Sequence, residues 1–414
     1  MKNNQTLDIP EKAIPFAAIL VASLGYFVDI YDLLLFSIVR LPSLESLGLK
    51  GEQATASGIF LLNIQMAGLI IGGIFWGILG DKKGRLTVLF GSILIYSLAN
   101  IGNAFTHNVT TYALFRFIAG FGLAGELGAG ITLVVELMPI NKRGYATTII
   151  AGIGISGAVA AHLVVRYFDW RTAFITGGGL GLLLLLLRIG VVESGLFKAA
   201  KKVGNRHGDF MLLFKNRPQF VKYLRCIVIG FPLWFGAGIL ITLSPEFGKE
   251  LRVAGIVNAG VAVACCYGGT VIGDVVSGLL SQYMRSRIKV IKIFLLLTTA
   301  AIASYLLLKD LSLFQFYIVC GLFGFAAGYW VLFLTVSAEQ FGTNIRATVT
   351  TTTPNFVRGA VIPMSILFQY FTRLFHGSLV HAGFVVGGFT VLLAFWAING
   401  LKETFSTDLD YIED

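Results

Sequence analysis

Twelve long apolar stretches separated by short polar breaks dominate this sequence, and they leave few folds open to it. They run over 13–39, 56–79, 86–106, 110–137, 145–165, 171–192, 224–245, 256–283, 288–308, 312–338, 347–371 and 379–400. About 20 mainly apolar residues are needed for a helix to cross the hydrocarbon core of a bilayer. Lipid offers the backbone no hydrogen bonds, so each stretch is predicted to satisfy its own N–H and C=O groups as a helix. Glycine-rich runs such as that from Ala119 to Gly130 let such helices approach closely. Charged residues make up 13% of the chain, against about 25% in an ordinary soluble protein. The expected fold class is an all-α membrane protein.

The net charge of +10 would suit a nucleic-acid partner, but the basic residues lie in short runs between apolar stretches, so no nucleic-acid partner is expected. Their placement is a topology signal. With the N-terminus inside, 22 of the 32 lysines and arginines fall on the cytoplasmic side, among them Lys82, Lys83, Arg85, Arg143, the cluster from Arg188 to Arg225, Arg287 and Arg346. Eight, including Arg40 and Arg171, fall outside. Both termini are therefore expected in the cytoplasm, and the chain in the inner membrane. The first stretch is too long for a signal-peptide core and carries Asp29 and Asp32, so it is expected to remain as the first membrane helix. The four cysteines have no C-x-x-C spacing, and the histidines are not spaced as metal ligands. No metal and no cofactor are expected.

The longest polar break divides the chain into six stretches and six. The expected organisation is a six-helix bundle over 1–192, a cytoplasmic loop over 193–223, a second bundle over 224–400 and a cytoplasmic tail over 401–414. Phe210–Phe214 reads as a short surface helix in that loop. The halves repeat. Glu136, Asn141 and Arg143 follow the fourth stretch with the same spacing as Glu339, Asn344 and Arg346 after the tenth. Such duplication belongs to secondary transporters, whose site lies between the repeats near midplane.

At these residues the chain resembles the major facilitator superfamily. Gly77-x-x-Gly80-Asp81-Lys82-Lys83-Gly84-Arg85 is similar to that superfamily's signature between helices two and three. Arg116 to Glu126, then Glu136-Leu-Met-Pro139 and Arg143-Gly144, resemble its sugar porter and metabolite:proton symporter branch. Asp29-Ile-Tyr-Asp32 is similar to the pattern of phosphate and aromatic-acid proton symporters. The second-half loop departs from the signature, with Gln282 where the first half has Asp81. The resemblance implies twelve transmembrane helices in two pseudo-symmetric six-helix bundles.

Charge inside a membrane helix is costly, so Asp29, Asp32, Arg116, Glu126 and Arg358 are the candidate functional residues. Asp29 and Asp32 share a helical face. Helical rise places Asp29 about 24 Å from the inner end of the first helix and Arg116 about 9 Å from the outer end of the fourth, so the two are expected at matching depth and as an ion pair. Glu126 lies about 15 Å further along, near midplane, in a glycine run with room around it. It matches the acidic residue that proton-coupled relatives carry in helix four. Asp29, Asp32 and Glu126 are the expected proton-coupling groups, each set against a purely structural role in helix packing. Arg358 reads as an anion clamp from the second half, or as a partner for Asp274, because a guanidinium stays charged and presents a fork to a carboxylate. Arg116, Tyr31, Tyr329, Trp330 and Gln65 are further expected substrate contacts. Asp81, Arg85, Glu136, Arg143, Asp274, Glu339 and Arg346 read as gating residues rather than ligand contacts, set against simple anchoring by the basic ones.

The expected activity is proton-coupled symport of a small anionic or zwitterionic metabolite by alternating access, by a monomer whose partners are solute, protons and lipid. Two alternatives share the fold: export of drugs or metabolites by proton antiport, and import of a carboxylate siderophore. A membrane sensor would need a longer tail. An enzyme would need motifs the sequence lacks, such as a P-loop or a nucleophile–histidine arrangement.

Overall fold

In lipid, helix breaks are tolerated only where another group takes up the freed backbone, and in this chain the breaks fall at repeated positions. A computed structural model describes residues 16–83, 85–128, 149–150, 152–192, 210–342 and 345–405. The first half contains α1 (Phe16–Ser46), α2 (Gly51–Lys83), α3 (Arg85–Ala104), α4 (Val109–Leu123), α5 (Gly157–Tyr167) and α6 (Trp170–Val192). A 3-10 helix, Phe210–Phe214, follows. The seventh stretch is broken into α7 (Arg217–Val228), α8 (Phe231–Phe235), a π-helical segment, Gly236–Ile241, and α9 (Ser244–Glu250). Then come α10 (Ala259–Tyr283), α11 (Arg287–Leu307), α12 (Leu313–Ala327), α13 (Trp330–Glu339), α14 (Arg346–Gly359), α15 (Val361–Leu374) and α16 (Leu379–Asn399).

Nine stretches among the described residues are long and apolar enough to cross a membrane. The remaining three predicted stretches are α4, α5 and the pair α14 and α15. α5 lies in a shorter apolar helix. The α14 and α15 stretch turns at Ala360, and α14 holds four consecutive threonines and Pro354. α1 and α2 extend beyond the predicted 13–39 and 56–79, because the helices continue past the apolar run at one or both ends.

The repeat is visible in three dimensions. α4 and α12 are each 15 residues long and each capped by a side chain, Asn108 on the Thr111 N–H and Ser312 on the Gln315 N–H. Each is followed by a two-residue turn, at 124–125 and 328–329, after which the helix resumes. At the second turn a Cβ on Gly328 would fall against the backbone of Gly273, so only glycine lets α10 pass there. The two turns are held differently. The Asp274 carboxylate accepts from the Val331 N–H at 3.2 Å, capping α13 from within the same half. The Ala124 carbonyl accepts from the Asn355 amide at 2.8 Å, a bond across the halves.

α2 packs on α4, α3 on α4 and α6, and α1 on α5 and α6; in the second half α10 and α11 pack on α12, and α11 on α16. Between the halves α2 runs along α14 and α15, and α10 lies against α5 and α1. Large apolar side chains such as Ile71, Leu98, Leu186, Ile272, Leu296, Leu322 and Leu392 point outward, as a lipid-facing surface requires. The polar residues Asp29, Asp32, Gln65, Asn100, Arg116 and Arg358 are buried inside instead.

Candidate substrate and proton site

Asp29 and Arg358 meet across the two halves. The Arg358 Nη2 lies 3.5 Å from the Asp29 Oδ2, with the two side chains 1% and 0% exposed. The guanidinium carbon sits 5.7 Å from the Trp234 ring centre and 5.9 Å from that of Trp330. These rings belong to α8 and α13, on either side of the breaks that let their helices bend inward. The Arg358 Nε and Nη1 and the Asp29 Oδ1 have no hydrogen-bond partner. Leaving such groups unpaired away from water is costly, and both side chains keep unused hydrogen-bonding capacity.

The pairing differs from the predicted one. Arg116 donates instead to the Gln65 Oε1, and its guanidinium carbon lies 4.8 Å from the Phe36 ring centre and 5.6 Å from that of Phe174. Depth along a helix says nothing of direction around it. Asp29 faces the second half, while Asp32, one turn further, is fully buried within the first. Both Asp32 carboxylate oxygens lack a hydrogen-bond partner, and Gly177 of α6 packs against the Oδ1 side, where a Cβ would not fit.

Glu126 does not stand in open space. Both its oxygens are taken by Arg188, one at 3.0 Å, and the pair is almost fully buried. Gly25 of α1 packs against both partners. Arg188 is thus a membrane-buried partner rather than one of the cytoplasmic basic cluster to which its position near the polar break assigned it. Its place within the sixth apolar stretch was the available signal: a buried guanidinium needs a buried anion. Arg40, predicted in an outer loop, is also buried, inside α1, where its Nη2 contacts the Glu246 carboxylate of α9 at 2.6 Å.

The remaining candidates sit apart. The Tyr31 hydroxyl donates to the Ala173 carbonyl at 3.0 Å and the Tyr329 hydroxyl to the Ile229 carbonyl at 3.1 Å, so both hold helices together. Asp274 caps α13 and is not the partner of Arg358. Glu339 pairs with Arg287 at 2.6 Å, and the Arg346 Nε donates to the carbonyls of Ala338 and Phe341. Asp81 and Arg85 fall at the adjoining ends of α2 and α3. Glu136 and Arg143 lie outside the described residues.

The sequence pattern of the Major Facilitator Superfamily matches residues 16–365. This chain belongs to the major facilitator superfamily. A niacin transporter of Acinetobacter baylyi is 32% identical over 175 residues, 41% of this chain and 39% of that protein. The gentisate transporter of Corynebacterium glutamicum is 25% identical over 354 residues, 80% of this chain and 76% of that one. A solved proton:xylose symporter, bound to 6-bromo-6-deoxy-D-glucose, shares the fold with a TM-score of 0.71 at 18% identity, over 95% of this chain and 97% of its own. As a major facilitator protein the chain is a multi-pass membrane transporter of small solutes and not an enzyme. Of the central couples, Asp29–Arg358 joins the two halves, whereas Glu126–Arg188 lies within the first.

Proposed function

We propose that the chain is a proton-coupled importer of small organic carboxylates with a planar, unsaturated body. The observation that carries this reading is Arg358: a buried guanidinium between two indole rings, with two of its three nitrogens unpartnered and a single long contact to Asp29. A guanidinium binds a carboxylate through its fork, and indole edges and faces suit a flat apolar body. The niacin and gentisate relatives named above carry such molecules, which supports the same substrate class here.

In this reading a proton on Asp29 neutralises the competing carboxylate and releases Arg358 to the substrate. The two anions exclude one another on one cation, so loading the proton and loading the substrate go together. Asp32 lies one turn along the same helix, and Glu126 is held by Arg188 as a pair that supports the packing of the first half. The six-helix bundles, 1–192 and 224–400, rock about this centre, with 193–223 and the tail 401–414 in the cytoplasm. The basic residues orient both termini inward in an inner membrane. Asp274, Glu339, Arg346, Asp81, Arg85, Glu136 and Arg143 serve the gating of that motion.

The test is uptake of labelled nicotinate, benzoate and gentisate into proteoliposomes under an imposed inward proton gradient. Accumulation of at least one, abolished by an uncoupler and by Arg358→Gln, is expected. Accumulation driven equally well without a gradient, or untouched by Arg358→Gln, counts against the reading.

A further inference from the structure

A second buried guanidinium faces a crevice between the halves. Arg40 lies near the end of α1, eleven residues and about 16 Å along the helix from Asp29. It is 1% exposed. All its contacts to Glu246 and to the Thr242 carbonyl run through one nitrogen, Nη2, at 2.6, 2.9 and 3.3 Å. The Nε and Nη1 have no partner. Its stem lies over Gly58, where a Cβ would come within 2.6 Å of the Arg40 Cδ, so this glycine of α2 is what makes room for the side chain.

Arg40 borders a narrow crevice of about 10 Å³, room for one water, so a larger carboxylate reaches Arg40 only as its walls part. The crevice is completed by Leu62 of α2, Ile239 of the π-helical segment, Thr242 just after it, and Ser365 and Phe368 of α15. Its walls thus come from both halves. They are apolar except for Arg40, Thr242 and Ser365, and Ser365 is bonded to Asn63 at 2.9 Å. The present counter-ion is the most exposed member of the group: the Glu246 side chain is 16% exposed and already holds a second partner, the Thr55 hydroxyl, at 3.1 Å. Glu246 therefore has somewhere to stay when Arg40 is taken by another anion. The bridge itself joins α1 and α2 to α9 and closes this end of the interface.

We infer that Arg40 is a vestibular carboxylate site, at which the incoming substrate displaces Glu246 and so unlatches this end of the transporter on its way to Arg358. The inference rests on the carboxylate reading above. The half-used guanidinium, the apolar walls and the ready alternative partner for Glu246 are what an exchangeable latch needs.

Equilibrium dialysis of labelled nicotinate, benzoate and gentisate against the full chain in lipid nanodiscs tests this, using wild type, Arg40→Gln, Arg358→Gln, the double variant and Glu246→Gln. Glu246→Gln keeps Arg40 in place should Arg40→Gln fail to fold. The expected result is one carboxylate still bound by Arg358→Gln and none by the double variant. Affinity at that remaining site should tighten about tenfold when Glu246→Gln is added to Arg358→Gln, the scale of losing one competing charge-assisted contact. If Arg358→Gln binds none while wild type binds one, the vestibular site is wrong and the central reading stands. If Arg358→Gln binds as wild type does and Arg40→Gln binds none, the central reading fails and the vestibular one stands. If no carboxylate binds wild type, both fall. A site left in Arg358→Gln that ignores Arg40→Gln and Glu246→Gln also overturns the assignment.

Discussion

The Asp29 carboxylate and the Arg358 guanidinium face each other across the two halves at 3.5 Å, each with further polar atoms that nothing else satisfies. The contact is long for an ion pair and lies between Trp234 and Trp330. A cation held this loosely can exchange one carboxylate for another.

Substitution of Arg358 separates clamp from packing. Arg358→Lys keeps the charge but loses the planar fork, whereas Arg358→Gln loses both. Truncating one member of a buried charge pair costs about 2–5 kcal/mol, or on the order of 100-fold in binding. Dialysis with labelled nicotinate, benzoate or gentisate, carried out in an Arg40→Gln background so that only the central site is read, should show Arg358→Lys weakened and Arg358→Gln weakened by that larger factor. Equal, small effects in both would place the substrate elsewhere.

Glu126 and Arg188 make a testable structural pair. Removing one partner of a buried pair leaves the other charge uncompensated and costs about 3–5 kcal/mol. Thermal unfolding of Glu126→Gln should show a clear loss of stability, and the apolar double variant Glu126→Met with Arg188→Met should regain most of it. A Glu126→Gln protein as stable as wild type would mean that Arg188 does not depend on the Glu126 carboxylate for its compensation.

Two glycines of α10 should respond oppositely. A Cβ on Gly273 would meet the Phe325 carbonyl and the Gly328 Cα at 2.9 Å, whereas one on Gly278 meets nothing within 4 Å. Gly278→Ala should be neutral or stabilising by up to about 1 kcal/mol, the helix-propensity difference. Gly273→Ala should lower the unfolding temperature because α12 must move away. Equal effects would contradict the close crossing at the second helix break.

The outcome for individual residues shows what the sequence could specify. The twelve stretches and the repeat follow from length, hydropathy and spacing, which act along the chain. The burial of Asp29, Asp32, Arg116, Glu126 and Arg358 follows from the cost of charge in lipid. Their partners did not follow. Asp29 was matched to Arg116 by depth, yet the choice between Arg116 and Arg358 depends on which way each helix is turned. Arg188 and Arg40 were read as topology markers because they adjoin polar breaks, and only the packing of α6 on α3 and of α1 against the second half brings them inside. Pro232 hinted that the seventh stretch would bend; the π-helical segment after it had no comparable signal.

The tail residue Glu403 predicts a pH effect at the membrane surface. Burial pushes its carboxyl up, but the Ser286 hydroxyl and the N–H groups of Arg287, Ile288 and Phe405 outweigh this and hold it below the usual glutamate range. A depressed folded value stabilises the native state above the unfolded value, about 4.3, and this stability is lost as pH falls through the folded value. Unfolding temperatures taken from pH 7 down to 3 should fall less steeply below pH 4.3 in Glu403→Gln than in wild type. Identical slopes would show that the Glu403 cap on α11 contributes nothing.

The central claim is that Asp29 couples the proton to the carboxylate through Arg358. The most direct measurement compares wild type and Asp29→Asn in proteoliposomes loaded with a carboxylate that wild type accumulates, following both uptake under a proton gradient and counterflow without one. The account predicts that Asp29→Asn exchanges substrate in counterflow at a rate independent of pH but no longer accumulates it against a gradient. Gradient-driven accumulation by Asp29→Asn equal to that of wild type would contradict it.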